Sequence, residues 1–168
     1  AASMVRTGLA VARPSPFVVG RYDKQLTATL VSSNWASKHI VFAYLAKPHA
    51  CMLTDIAAFT SLTTAARMLR RRQDVSRDWV PIWRHVKTAS DSQRAKVPGP
   101  AVAMYDSLAH IGWTWKAATV VVNQWGMELD LVNHPVRCIE HWAREAIRYR
   151  LQGCIPETRN DLGDLKSM

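Results

Sequence analysis

Arginine is concentrated in one stretch of this 168-residue chain. Between Arg67 and Lys96 there are nine basic and three acidic residues, so the stretch carries +6 of the total formal charge of +9. The planar guanidinium fork fits two phosphate oxygens at once, which favours a nucleic-acid partner bound in a salt-sensitive, sequence-nonspecific way. The alternative is a solvated helix end stabilised by the helix dipole. The candidate contacts are Arg67, Arg70, Arg71, Arg72, Arg77, Arg84 and Lys87.

Tryptophan is the second unusual residue type, with seven copies. Tryptophan and arginine together form stacking platforms for the bases of single-stranded nucleic acid. Trp113 and Trp125 are the candidate residues for stacking or for packing, and Trp125 is expected to be exposed at a hairpin turn. Packing in the core is the expectation for Trp79, Trp83 and Trp142.

Cys138 and His141 lie three residues apart in a predicted helix, so both could face one metal ion. A structural zinc site usually takes paired ligands from two places, and His49 with Cys51 is the only other close pair. Cys138 and His141 as nucleophile and base would also need an oxyanion hole and an orienting acid, which the sequence does not supply. We therefore predict no metal and no cofactor, and keep Cys138 and His141 as minor metal candidates.

Signatures of common enzyme classes are absent from the sequence. It contains no Gly-rich phosphate loop, no G-x-S-x-G, no H-E-x-x-H and no adjacent pair of aspartates. Its thirteen acidic residues are isolated, whereas two-metal nucleotidyl transfer needs clustered carboxylates. We therefore predict no catalytic residue in this chain, and a small independent enzyme is the least favoured alternative.

Composition limits the class of protein. Hydrophobic residues make up 48% of the chain, which is typical of a globular domain, and no apolar run reaches the length of a membrane span. Three widely spaced cysteines do not form a disulfide framework. Because no signal-peptide pattern is found, we expect an intracellular chain, without distinguishing nucleus, cytoplasm or organelle.

The spacing of apolar residues predicts a mainly helical, bundle-like fold with one small antiparallel β-hairpin. We divide the chain into a helical part at 1–90, a linker at 91–98, a helix-hairpin-helix module at 99–153 and a polar tail at 154–168. A segment at 35–46 suits either a helix or a strand. The predicted helices cover residues 1–11, 24–31, 54–72, 76–89, 100–110 and 135–151.

Single residues mark the ends of these elements. Thr54 is the predicted N-cap of the arginine-rich helix, with Asp55 placed favourably at the positive end of its dipole. Ser76 is the predicted cap of the next helix, with Pro81 in its first turns. Gly112 is expected just after a helix, and Gly126 is expected to supply the positive φ of the hairpin turn.

Several short motifs occur in a set order along the chain. They are the arginine-rich helix Ala65-Ala66-Arg67-Met68-Leu69-Arg70-Arg71, then Gly99-Pro100, Leu108, Ile111-Gly112-Trp113-Thr114-Trp115, Trp125-Gly126, the alternating Leu129 and Leu131, and a helix with Trp142. In this order the chain resembles the region downstream of the polymerase domain in LINE-type (non-LTR) retrotransposon reverse transcriptases, of the kind abundant in dinoflagellate genomes. The resemblance covers the whole chain and is clearest over residues 54–153.

The resemblance implies a thumb or post-thumb segment that helps to hold template RNA or a primer duplex. The paired aspartates of the polymerase site have no counterpart, since Tyr22-Asp23 is followed by Lys24. We therefore predict a non-catalytic RNA- or DNA-binding module. The alternative is a structural subunit of a larger RNA-rich or membrane-associated assembly, in which the basic helix meets an acidic surface of a protein partner.

Overall fold

The computed structural model describes residues 14–30, 48–50, 52–97 and 99–153. The predictions for 1–11, 35–46 and the tail at 154–168 lie outside these residues. The helices are α1 (Pro16–Leu30), α2 (Leu53–Arg71), α3 (Gln73–Thr88), α4 (Asp91–Lys96), α5 (Pro100–His110) and α6 (Val136–Gly153), with a 3₁₀ turn at Pro48–Ala50. The strands are β1 (Thr114–Ala117), β2 (Val120–Val122) and β3 (Glu128–Asp130). The predicted mainly helical fold with a small antiparallel β element is confirmed.

Helix α2 lies at the centre of the molecule. Leu62, Ala66 and Leu69 are fully or almost fully buried, and their spacing of three and four residues places them on one face. Small residues on the same helix, such as Ala58, let neighbouring helices approach closely. One continuous core joins this face to α3, α5, the sheet and α6.

Three predicted helix starts are wrong. Helix α1 begins at Pro16, whereas the sequence predicted a start at residue 24. Helix α2 begins at Leu53 with Met52 as N-cap, so Thr54 lies inside it. Helix α3 begins at Gln73. Its N-cap is Arg72, which is in extended conformation and is the single residue between α2 and α3. As a consequence Ser76 lies inside α3, and Pro81 lies within the helix and not at its start.

The segment predicted as a linker contains helix α4. Its N-terminus is a capping box, in which Gln93 N–H donates to Ser90 Oγ at 3.4 Å and Ser90 N–H donates to Gln93 Oε1 at 2.8 Å. Every residue of α4 is at least partly exposed, yet the side chain of Arg94 is only 12% exposed. Its guanidinium lies 4.3 Å from the centre of the Tyr105 ring and so attaches α4 to α5.

The sheet has three antiparallel strands in the order β1-β2-β3, one more than the predicted hairpin. Trp115, Val121 and Leu129 face one another across the three strands, and all three are buried. Gly126 takes the predicted positive φ, 81° between β2 and β3, and Gly112 lies after α5 as predicted, with a φ of 75°. Among the described residues, no helix is both long and apolar enough to cross a lipid bilayer.

Candidate nucleic-acid interface

Four arginines line a cleft between the end of α2 and the start of α6. Arg67, Arg70 and Arg71 come from α2, and Arg137 comes from the first turn of α6. The cleft has a volume of about 350 Å³, and Glu140 is the one carboxylate among its lining residues. We call this set of residues the arginine cleft. It combines three arginines predicted from the sequence with Arg137, which sequence reasoning missed.

Glu140 neutralises part of the cleft. Its Oε1 accepts from Arg67 Nη2 at 2.5 Å, and its Oε2 lies 3.7 Å from Arg144 Nη2. The Glu140 side chain is 15% exposed, whereas that of Arg67 is 52% exposed. Four guanidinium groups against one carboxylate leave the cleft strongly positive, which is the electrostatic requirement for holding an anion.

Arg70 is held by the fold, and one of its donors is buried. Its Nε donates to the backbone carbonyl of Leu131 at 3.0 Å, which fixes the guanidinium beside the β3–α6 connection. Its Nη2 is buried and has no hydrogen-bond acceptor among the described residues. A buried donor without an acceptor is costly, so Arg70 is fixed by its Nε hydrogen bond and does not present Nη2 to solvent.

The remaining predicted basic residues lie outside the cleft. Arg72 forms two hydrogen bonds to Asp74, Nε–Oδ1 at 3.0 Å and Nη2–Oδ2 at 2.7 Å. This pairing lowers the pKa of Asp74 to about 2, chiefly through the hydrogen bond from Arg72. Arg77 and Arg84 are exposed on α3, and Lys87 Nζ lies 5.2 Å from the centre of the Trp83 ring. The charge is therefore divided between the cleft and the surface of α3.

The two candidate stacking tryptophans differ in exposure. Trp113 is 2% exposed, and its indole N–H donates to Gln124 Oε1 at 2.8 Å, so it is a packing residue and does not belong to a contact surface. Trp125 is 47% exposed, as predicted. Among the tryptophans predicted to pack, Trp79 is buried, whereas Trp83 and Trp142 are half-buried.

The two metal candidates, Cys138 and His141, lie on α6. Cys138 is half-buried, and the ring of His141 is exposed and packs edge-on against Trp142, with 5.2 Å between ring centres. Within the described residues, no group of three or more His, Cys, Asp or Glu side chains is arranged to hold a metal ion.

A buried ionic network joins three helices at another place. Asp55 is 0% exposed; His110 Nε2 lies 2.8 Å from its Oδ1, and Arg150 Nη2 donates to Oδ1 and Oδ2 at 2.7 and 2.8 Å. His110 also lines a cavity of about 610 Å³ together with Ser61 and Ser107. Ser107 Oγ donates to the carbonyl of Ala103 at 2.6 Å, so its proton is directed at its own helix and not at His110.

Asp55 was predicted only as a charge at the helix dipole. Its partners are 55 and 95 residues away along the chain, a separation that no local sequence pattern shows.

No family model, curated protein or solved structure matches this chain.

Proposed function

We propose that this chain is a non-catalytic module that binds nucleic acid through its phosphates, without selecting a sequence. The observation that carries the proposal is the arginine cleft, in which four guanidinium groups meet a single carboxylate. Arginine forms short, charge-assisted hydrogen bonds to phosphate oxygens, often two at once. Arg70 is held in the cleft by its hydrogen bond to the carbonyl of Leu131, so one guanidinium is fixed in place before a phosphate arrives.

The proposed role agrees with the one implied by the resemblance to the thumb and post-thumb region of a retroelement reverse transcriptase. A segment of that kind holds the backbone of a template or primer and leaves the chemistry to another part of the polymerase. Phosphate contacts position a nucleic acid but do not report its sequence, which suits such a task. The proposed relationship therefore predicts binding with little dependence on base composition.

The test is the salt dependence of binding to random-sequence RNA, measured by fluorescence anisotropy with single-stranded and duplex probes. The variant Arg67→Ala/Arg71→Ala/Arg137→Ala removes exposed arginines of the cleft and retains Arg70, which also supports the backbone. We expect weaker binding and a smaller slope of log affinity against log salt. The slope should fall by about 0.7 to 0.9 for each phosphate that the variant no longer neutralises.

The matched control is Arg77→Ala/Arg84→Ala, together with Arg72→Ala to remove the same total charge. These three arginines belong to the α2–α3 junction and α3, outside the cleft. If the control reduced the affinity and the slope as much as the cleft variant, the arginine cleft would not be the site. Absence of measurable binding by the unaltered chain at about 100 mM salt would overturn the proposed function itself.

A further inference from the structure

A cluster of three aromatic rings lies on the surface, formed by the β2–β3 turn and α6. The Trp125 ring lies 5.6 Å from that of Trp142 and 6.0 Å from that of Tyr149, measured between ring centres. Trp125 is 47% exposed and Tyr149 is 60% exposed, although both are large apolar rings. We call these three residues the aromatic platform.

The turn that carries Trp125 is ordered by its own hydrogen bonds. Asn123 Oδ1 accepts from the backbone N–H of Trp125 at 3.0 Å and of Met127 at 2.8 Å. Gly126 takes the positive φ that closes the turn. Gln124 is tied to the core by the indole N–H of Trp113. The exposed ring is therefore held in place before any ligand arrives, which lowers the entropic cost of binding.

Helix α6 connects the platform to the arginine cleft. At 100° per residue, Arg137 and Trp142 lie about 140° apart around the helix axis. The face between them carries the exposed His141 and the half-buried Glu145 and Arg148, and the last two form an ion pair of 2.7 Å. By helix geometry, the path across this face from Arg137, the cleft arginine on α6, is about 15 Å long, which about four or five stacked nucleotides of a single strand would cover.

We propose that the aromatic platform stacks against unpaired bases of a single-stranded nucleic acid whose phosphates occupy the arginine cleft. The inference rests on the proposed function and adds to it that the preferred ligand is single-stranded. A duplex keeps its bases stacked inside and offers the platform no free ring face. A single strand crossing α6 meets arginines on one flank and aromatic rings on the other, which is the combination found in single-strand binding sites.

The charge of the molecule supports this occupant over a protein partner. The chain has a net charge of +9, and the arginine cleft takes one of its four arginines, Arg137, from the helix that carries two of the rings. Base stacking also tolerates any sequence because every base has an aromatic face, and this agrees with the nonspecific binding predicted for the cleft.

The test compares three probes of equal length: a single-stranded homopolymer, a duplex, and an abasic strand that keeps the phosphates but lacks the bases. The variants are Trp125→Ala and Tyr149→Ala, with Trp125→Phe to restore a ring. The matched control is Phe17→Ala, which removes another exposed ring, 77% exposed, from α1.

We expect Trp125→Ala to weaken binding of the single strand about fivefold or more, and Tyr149→Ala to act in the same direction. Trp125→Phe should recover most of the affinity, and Phe17→Ala should leave it unchanged. Binding of the duplex and of the abasic strand, and the salt slope, should not change in any of these variants.

Two results separate this inference from the proposed function. If Trp125→Ala and Tyr149→Ala leave single-strand binding unchanged, or weaken the duplex and abasic probes equally, the platform inference is overturned and the arginine cleft stands. If the unaltered chain binds none of the three probes, the proposed function fails and the platform inference fails with it.

Discussion

Glu140 sets how much of the positive charge of the arginine cleft is available to an anion. Its carboxylate is shared between Arg67 at 2.5 Å and Arg144 at 3.7 Å, and it lies largely out of contact with water. A phosphate that enters the cleft must compete with this carboxylate for the Arg67 guanidinium. Glu140 is therefore a counter-charge built into the proposed site.

Replacing Glu140 by Gln should strengthen binding of nucleic acid. The substitution keeps the size of the side chain but removes the competing charge, so Arg67 becomes free to contact phosphate. We expect an affinity for single-stranded RNA about two- to fivefold higher at low salt, a gain of the size of one partly exposed ion pair. Titration of the same fluorescent probe measures it.

Asp74→Asn is the control for this change. It removes the same unit of negative charge next to an arginine, Arg72, but outside the cleft. Equal gains in Asp74→Asn and Glu140→Gln would contradict a specific role of Glu140 and indicate a general effect of net charge.

The residues of the cleft show what local spacing can and cannot predict. Arg67, Arg70 and Arg71 are separated by three and four positions, so their shared helix face follows from the sequence. Arg72 is the first residue outside the helix and pairs with Asp74. Arg137 joins the cleft only because α6 packs beside α2, and this tertiary contact left no signal in the sequence.

The connection between β3 and α6 is organised by one carboxylate. Asp130 Oδ1 accepts from the backbone N–H of Val132 at 2.8 Å and of Asn133 at 3.2 Å, and the Asn133 side chain donates to Oδ2 at 2.6 Å. Burial opposes ionisation of Asp130, but these hydrogen bonds outweigh it and lower the pKa of the carboxyl below its ordinary value of 3.8. The same connection contains Leu131, whose carbonyl holds Arg70.

We predict that acid destabilises the fold partly through Asp130. Because the folded-state pKa is the lower one, its contribution to stability is complete above about pH 5 and is lost as the pH falls through 3.8 towards the folded pKa. Asp130→Asn should lower the melting temperature at neutral pH and lose less stability on acidification. Thermal unfolding between about pH 3 and 7 measures both effects.

Asp91→Asn is the comparison for Asp130→Asn, since the Asp91 side chain is 99% exposed. It should leave the melting temperature at neutral pH almost unchanged. A melting temperature that falls with acid equally in Asp130→Asn and in the unaltered chain would show that Asp130 does not contribute.

At the scale of elements, helices with clear apolar spacing were predictable, whereas the starts of α1, α2 and α3 were not. Helix α5 has Pro100 at its start and Gly112 just after its end, and both signals predicted its bounds correctly. Ser90 and Gln93 form a capping box whose sequence pattern was present, but the low apolar content of the segment favoured a linker. The apolar Trp115 alternates with polar neighbours, as in a strand. Strand β1 also needs β2 as its hydrogen-bonding partner, and this pairing is a tertiary contact that local spacing does not show.

At the scale of the whole molecule, the Asp55 network determines how α2, α5 and α6 are joined. Asp55 has no exposed surface, so its charge is stabilised by Arg150 and by the hydrogen bond with His110. The three residues come from distant parts of the chain, which explains why the sequence indicated only a favourable charge at a helix start. Removing one partner of a buried ion pair is strongly destabilising because it leaves the other charge uncompensated. Replacing both charged groups by uncharged ones costs much less.

Arg150→Met should therefore lower the free energy of unfolding by about 3 to 5 kcal/mol, because it leaves the Asp55 charge buried without its cation. Asp55→Asn/Arg150→Met should recover a large part of this loss, since the introduced amide is uncharged and can still bond to His110. Urea unfolding of the three proteins measures the difference.

Arg148→Met is the control on the same helix, where loss of a partly exposed pair with Glu145 should cost less than about 1 kcal/mol. An equal loss of unfolding free energy in Arg150→Met and Arg148→Met would contradict the role of Arg150 as the cation of Asp55. The same conclusion would follow if the double variant were as unstable as Arg150→Met. Because the network lies outside the arginine cleft, single-strand binding should persist in Arg150→Met and in the double variant at temperatures where they remain folded.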